Sequence, residues 1–216
     1  MARSAAETLF FFTPDNDQSP IVSLGMLDLD YPALLGLFPQ YRDPKRSESA
    51  SFLIWYLENY YRFDPQESVD SVCDQSGDKG VDGIVVNDND QAITILQSRI
   101  SQSKDATIGD ASLRAFAGTM TQFETPEAID NLIRTAGKAQ VGPLAKRLEL
   151  ATKIATYELC GEFVSNIELD ANGMALLATH PTITFVGRAD CRQLIFPTLA
   201  TSSSILKSLS ISSAFP

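Results

Sequence analysis

Two apolar segments of this chain, each typical of a β-strand, contain three polar residues that could form a site: Asp82, Gln97 and Arg99. A carboxylate, an amide oxygen and a cation brought together could bind a metal ion, hold a phosphate or satisfy one another. Apolar strands tolerate buried polar groups only when partners of this kind are present. The sequence therefore predicts a polar site that could hold a metal ion or a phosphate, or in which the three residues satisfy one another.

A β-hairpin is the element that must position these residues. Residues 81–87 form an apolar, β-branched run, residues 88–90 are typical of a turn, and residues 92–100 return as the second strand. Alternate residues of a strand lie on the same face, so Gln97 and Arg99 share one face.

The centre of the turn sets the register of the hairpin. With the turn near Asn89, residues whose numbers sum to about 178 face each other. Asp82 then lies opposite Leu96 or Gln97, at the end of the hairpin remote from its turn.

The composition limits the class of protein. The net charge of −10 over 216 residues argues against a uniformly basic nucleic-acid-binding surface. Acidic residues concentrate in 64–90, whereas 138–153 is locally basic, which is compatible with a local phosphate-binding surface. With no membrane-spanning run, no secretory signal and no CxxC pair, we expect a soluble cytoplasmic protein without a membrane partner.

The order of predicted elements indicates an α/β fold with a mixed central sheet flanked by helices. We expect an N-terminal arm (1–46), an α/β domain (47–197) and a Ser-rich C-terminal tail or linker (198–216). A helix begins near Ser47 and runs to about residue 61. A short helix is predicted at 31–38, further helices at 110–123, 126–136, 142–160 and 171–178, and further strands at 163–169 and 182–187.

A family resemblance follows from these motifs. A helix with an early acid, an Asp-Gly pair opening a hairpin and Gln-x-basic on the partner strand resemble the PD-(D/E)XK nuclease superfamily. More narrowly, ESASFL (48–53), GDKGVDGI (77–84), ILQSR (95–99) and LRAFAGT (113–119) are similar to the N-terminal part of bacterial abortive-infection phage-resistance proteins. The resemblance covers about residues 48–170 and implies a restriction-endonuclease-like core. Those relatives are usually longer, so the chain is also compatible with a fragment.

The resemblance implies roles for individual residues. Asp82 matches a metal-binding aspartate, and Gln97 matches the position of a second metal ligand. Glu48 matches the acid near the start of the first helix, with Glu58 as one alternative. Arg99 stands where the family has Lys. The implied activity is Mg²⁺- or Mn²⁺-dependent hydrolysis of nucleic acid, with DNA as the expected substrate, in phage defence.

Arg99 departs from the family pattern, which has Lys at this position, and this residue distinguishes two possible functions. Arginine stays protonated and cannot act as a general base, although it can hold a phosphate. The alternative to an endonuclease is therefore a catalytically degenerate module that binds nucleic acid or a protein partner. A pure assembly domain is a third possibility, and a homo-oligomer or a C-terminal partner domain is compatible with each.

Each candidate also has a structural interpretation. Asp82 could be turn chemistry before Gly83, and Gln97 could be a hydrogen-bonded core amide. Arg99 could pair with Asp82 alone, and Glu48 could serve only as a helix-start acid. Three loop residues are expected to be turn residues rather than ligands: Asp74, Asp78 and Lys79.

Overall fold

The computed structural model of the protein describes residues 27–74 and 77–195, with the side chains of 193–195 left aside. The Ser-rich segment 198–216 and residues 1–26 of the predicted arm lie outside the described residues. Within the described ranges, no helix has the length and apolar character needed to cross a membrane.

A mixed four-stranded sheet is the centre of the described chain. The strands are β1 (Gly83–Asn87), β2 (Ala92–Arg99), β3 (Thr107–Ile108), β4 (Glu158–Ser165), β5 (Glu168–Leu169) and β6 (Ile183–Val186). The sheet order is β1-β2-β4-β6, in which β1 is antiparallel to β2 and the other neighbours are parallel. β3 and β5 form a separate parallel pair. The predicted mixed sheet is confirmed.

Helices cover both faces of this sheet. They are α1 (Glu48–Tyr56), α2 (Pro65–Asp70), α3 (Asp110–Met120), α4 (Pro126–Thr135), α5 (Val141–Arg147), α6 (Leu150–Lys153), α7 (Ala171–Leu177) and α8 (Arg188–Ile195). One apolar cluster joins Leu96 and Val164 of the sheet to α1. A second cluster joins Ile95 and Phe163 to α3. Adjacent residues of one strand thus point to different layers of helices, as strand geometry requires.

The hairpin forms as predicted, with its register one residue from the expected value. Gly83 pairs with Leu96 and Asn87 pairs with Ala92. The turn is held by Asn87, whose Oδ1 accepts hydrogen bonds from the backbone N–H of Asn89 at 3.0 Å and Asp90 at 3.2 Å. This asparagine turn is the local reason that two apolar runs pair here.

The predicted start of α1 at Ser47 is confirmed. The Ser47 hydroxyl accepts a hydrogen bond from the Ala50 N–H at 3.1 Å, which satisfies a backbone donor that the helix itself cannot. The helix continues as a π-helical turn over Leu57–Tyr61 and ends at Arg62, whose φ is +63°. The described part of the N-terminal arm packs on α1 through fully buried Leu34 and Phe38.

The single long helix predicted for 142–160 is wrong. The segment forms α5 and α6, separated at Glu149, whose φ of +56° is incompatible with a continuous helix. From Glu158 the chain becomes β4, which pairs with β2 on one side and β6 on the other. Hydrogen bonding within the sheet overrides the helical spacing of the apolar residues. The predicted short helix at 31–38 is a 3-10 helix over Ala33–Leu37.

Candidate functional site at the open end of the hairpin

Asp82 lies immediately before β1 and is fixed by its neighbours. Its backbone N–H donates to the carbonyl oxygen of Leu96 at 2.9 Å, and its carbonyl accepts from the Cys73 N–H at 2.8 Å. Its side-chain Oδ2 accepts a hydrogen bond from the Ser98 N–H at 2.7 Å. One oxygen of the carboxylate is therefore oriented by the backbone of β2.

Burial changes the acidity of this carboxyl group. Desolvation raises the pKa of Asp82 from 3.8 to about 6, and the hydrogen bond from Ser98 opposes this effect. The negative charges of Asp74 and Asp78 raise the pKa further. A cation close to Asp82 would be stabilised by the same charges that disfavour its ionisation.

Gln97 carries an unsatisfied acceptor. Asp82 and Gln97 flank Gly83 and Leu96, the last paired residues of the hairpin. The Gln97 Oε1 atom is buried and has no hydrogen-bond partner in the described part of the chain. A buried acceptor left unpaired costs about 1–3 kcal/mol, so such an atom in a native protein requires an explanation.

The face on which these residues lie follows from the strand register. Ile84 pairs with Ile95, and both belong to the apolar cluster on the α3 side. Asp82 is two residues before Ile84, and Gln97 is two residues after Ile95. The two-residue repeat places Asp82, Gln97 and Arg99 on this same side of the hairpin.

Arg99 is exposed and bound to a different partner. Its Nη1 donates to the Ser112 Oγ, at the start of α3, at 2.9 Å. Among residues 27–74 and 77–195, the ion pairs involve other basic residues, and none joins Arg99 to Asp82. The interpretation of Arg99 as a simple ion-pair partner for Asp82 has no support in this geometry.

Glu48 lies at the start of α1, on the opposite side of β2. Its Oε1 accepts a hydrogen bond of 3.4 Å from the Tyr31 hydroxyl. The next residue, Ser49, anchors the helix to β2, because its carbonyl oxygen accepts from the Ser98 hydroxyl at 3.1 Å. The alternative acid, Glu58, accepts a hydrogen bond from Tyr41 at 2.8 Å. Within the described chain neither glutamate is hydrogen-bonded to Asp82 or Gln97.

A cleft of about 300 Å³ lies beside Asp82. It is lined by the loop before β1, including Asp74, Asp78 and Lys79. Asp74 also orders the start of α1, since its carboxylate accepts from both the backbone N–H and the hydroxyl of Ser47, at 2.8 and 2.7 Å. The cleft is thus acidic and tied to the first helix.

The loop that lines this cleft has an unusual backbone conformation. Lys79 has a φ of +60°, which non-glycine residues rarely adopt, and Gly80 follows with a φ of +83°. The Lys79 carbonyl accepts hydrogen bonds from Thr119 Oγ1 at 3.4 Å and Gln122 Nε2 at 3.3 Å. A Cβ atom at Gly80 would lie 2.7 Å from Thr119 Oγ1, so glycine is required there. Loop and α3 are packed together.

The donor set is sparse by the standard of a dedicated metal cage. Across the described residues, no group of three or more His, Cys, Asp or Glu side chains is placed to hold a metal ion. Asp82 offers a carboxylate and Gln97 an amide oxygen, which are hard oxygen ligands. Mg²⁺ often uses only one or two protein carboxylates and keeps several waters. Asp82 and Gln97 are ligand types that suit a Mg²⁺ ion bound mainly by water. They are too few to form a closed metal site.

A buried glutamate was not identified from the sequence. Glu162 of β4 is 8% exposed, and desolvation raises its pKa from 4.5 to about 7. The Tyr61 hydroxyl lies 3.4 Å from both of its oxygens. The nearby Tyr56 is also buried, and its hydroxyl, like that of Tyr61, opposes the rise in the pKa of Glu162. A glutamate in the middle of a strand carries no local signal of burial, because the rings that cover it come from α1 and its π-helical turn.

Comparison with protein-family models, with curated proteins and with solved structures gives no match to this chain. The relationship to nucleases that the sequence motifs imply therefore stays a prediction.

Proposed function

We propose that the protein is a metal-dependent nuclease with a restriction-endonuclease-like core, which hydrolyses phosphodiester bonds in nucleic acid, with DNA as its substrate. The observation that carries the proposal is the buried and unpaired Oε1 of Gln97, on the same side of the hairpin as the partly buried carboxyl of Asp82. Most buried side-chain acceptors in folded proteins have a hydrogen-bond donor. If Gln97 Oε1 binds a cation, the lack of a hydrogen-bond donor to this atom is explained.

Mg²⁺ or Mn²⁺ is the ion that these ligands suit, with Asp82 and Gln97 as the protein ligands. When bound, such an ion supplies polarisation of a phosphoryl oxygen and a lower pKa for a bound water. The role of Ser98 is to orient the Asp82 carboxylate through its backbone N–H. Asp74 and Asp78 add negative charge around that carboxylate, which favours a cation over an uncharged ligand.

The structure gives less support for a role of Arg99 and Glu48 in hydrolysis than for Asp82 and Gln97. Arg99 can contact a phosphate, but its permanent charge excludes it as a general base. Glu48 is hydrogen-bonded to Tyr31 on the other side of β2. We assign Arg99 to substrate binding and leave Glu48 as an acid that stabilises the start of α1.

A second candidate function is supported by one specific observation. Arg99 stands where catalysis by the related nucleases uses lysine, and it donates to Ser112. A module that binds nucleic acid or a protein partner without cutting would tolerate this change. Action in phage defence, for either candidate, is supported only by the resemblance of the motifs.

Incubation with plasmid DNA and with RNA, in Mg²⁺ or Mn²⁺, tests the proposal. We expect cleavage by the parent protein, loss of cleavage in Asp82→Asn, and a strong reduction in Gln97→Ala. Asp130→Asn, an exposed aspartate of α4, is the matched control and should cleave normally. Cleavage by Arg99→Lys but not by the parent would favour the degenerate module. Undiminished cleavage by Asp82→Asn would refute the assignment of the site.

A further inference from the structure

We propose that Lys79, rather than Arg99, supplies the cation that contacts the scissile phosphate in the cleft beside Asp82. This inference rests on the proposed nuclease function and assigns a role within the same site. The sequence alone indicates only a turn residue at this position, because Lys79 lies between glycines in a loop. Its placement in the folded chain changes that interpretation.

The position of Lys79 is the first argument. Lys79 and Asp82 line the same open cleft. The cleft is otherwise acidic, since Asp74 and Asp78 also line it. Without a cation, a phosphodiester entering such a cleft would be repelled by carboxylates. A lysine on the wall supplies positive charge where the substrate's negative charge would lie.

The backbone of the loop is the second argument. Lys79 adopts a left-handed conformation, with a φ of +60°, that non-glycine residues rarely adopt. Hydrogen bonds from Thr119 and Gln122 to its carbonyl hold this conformation. Glycine would satisfy the turn without strain. A lysine at a strained and clamped position is therefore explained better by its side chain than by the turn.

The Lys79 ammonium makes no ion pair within the described residues. Within residues 27–74 and 77–195, the ion pairs are made by Arg114, Arg147, Lys153 and Arg188. Lys79 is exposed and is one of the residues that line the cleft. Arg99, by contrast, is hydrogen-bonded to Ser112. Of the two cations, only Lys79 lines the cleft beside Asp82.

The role is electrostatic. In hydrolysis, a bond forms between a water oxygen and phosphorus while the ester bond from phosphorus to the leaving oxygen breaks. The water proton passes to solvent, and the leaving oxygen takes up a proton. Lys79 keeps its proton throughout and stabilises the charge that develops on the phosphoryl oxygens.

Substitutions at position 79 separate the ammonium from the turn. Lys79→Gly and Lys79→Asn keep residues that tolerate the left-handed conformation, whereas Lys79→Arg keeps the charge. We expect both neutral variants to cleave DNA about 100- to 1000-fold more slowly than the parent. We expect Lys79→Arg to recover most of that loss. Lys104→Ala, an exposed lysine outside the cleft, is the matched control.

Two further measurements distinguish the possible failures. DNA binding in Ca²⁺ should change little in Lys79→Gly compared with its cleavage rate, and its thermal melting should be cooperative. Parent-like cleavage by Lys79→Gly, with Asp82→Asn inactive, would overturn the role of Lys79 and leave the nuclease assignment intact. No cleavage by the parent in either metal ion would remove both proposals together.

Discussion

Replacing Glu162 by glutamine should stabilise the protein, and more strongly as the pH rises. Desolvation raises the pKa of Glu162 from 4.5 to about 7, so the folded state holds the proton more tightly than the unfolded chain. A group of this kind contributes its full stability in acid, below its unfolded pKa, and loses it as the pH rises through its folded pKa. Glutamine resembles the protonated side chain and carries no charge to desolvate.

The magnitude follows from the two pKa values. The difference between 4.5 and about 7 corresponds to roughly 3 kcal/mol in the free energy of unfolding, lost between about pH 5 and pH 8. The Tyr61 hydroxyl, which donates to the carboxylate, can donate to an amide oxygen instead. The gain from Glu162→Gln should therefore be small at pH 5 and approach this figure at pH 8.

Urea unfolding at several pH values, followed by circular dichroism, measures the difference between the variant and the parent. The variant is compared with the parent at each pH because Asp82, whose pKa is also raised, makes the stability of both proteins fall as the pH rises. The difference between them isolates the contribution of Glu162. Glu158→Gln, at an exposed site on the same face of β4, is the control and should show no such trend. A gain that is equal at pH 5 and pH 8 would refute the reasoning.

The remaining predictions concern the site and the start of α1. Because a protonated Asp82 is a poor ligand and its pKa is raised to about 6, Mn²⁺ affinity should fall about tenfold between pH 8 and pH 5. Calorimetric titrations at several pH values measure this change, and a flat profile would contradict it. Gln97→Leu should raise the free energy of unfolding by about 1 kcal/mol or more without metal, because it removes an unpaired buried acceptor. An equal or lower stability in urea would count against that explanation. Ser47→Ala should cost about 1–2 kcal/mol, since it removes the helix cap and the hydroxyl bond to Asp74. An unchanged melting temperature would show that the cap is redundant.

Local chemistry explains which elements could be predicted from the sequence. The hairpin is encoded by two β-branched runs and an asparagine turn, so its strands and nearly its register follow from residue types. The start of α1 follows from Ser47 in the same way. These signals act over a few residues and need no knowledge of the rest of the fold.

The errors occur where distant parts of the chain decide the structure. β4 lies in the middle of the sheet, and its conformation is imposed by β2 and β6 rather than by its own composition. Gly161 within it is required by close packing, because a Cβ atom there would lie 2.9 Å from the Met120 sulfur of α3. No periodicity in residues 142–160 could have revealed either constraint.

In the candidate site, too, some features follow from the local sequence and others depend on the packing of distant segments. The common face of Gln97 and Arg99 follows from strand alternation. The unpaired oxygen of Gln97 and the bond from Arg99 to Ser112 depend on how α3 packs. The uncommon backbone of Lys79 likewise depends on Thr119. Residue types predict a site, and the packing adds that Arg99 is hydrogen-bonded to Ser112 whereas Lys79 lines the cleft beside Asp82.

Isothermal titration calorimetry with Mn²⁺ at pH 8, without nucleic acid, tests whether Asp82 and Gln97 bind a metal ion. We expect saturable binding by the parent protein, none by Asp82→Asn and weaker binding by Gln97→Leu, with Asp130→Asn unchanged. Equal affinity in the parent and in Asp82→Asn would contradict this expectation, because the ion would then lie elsewhere.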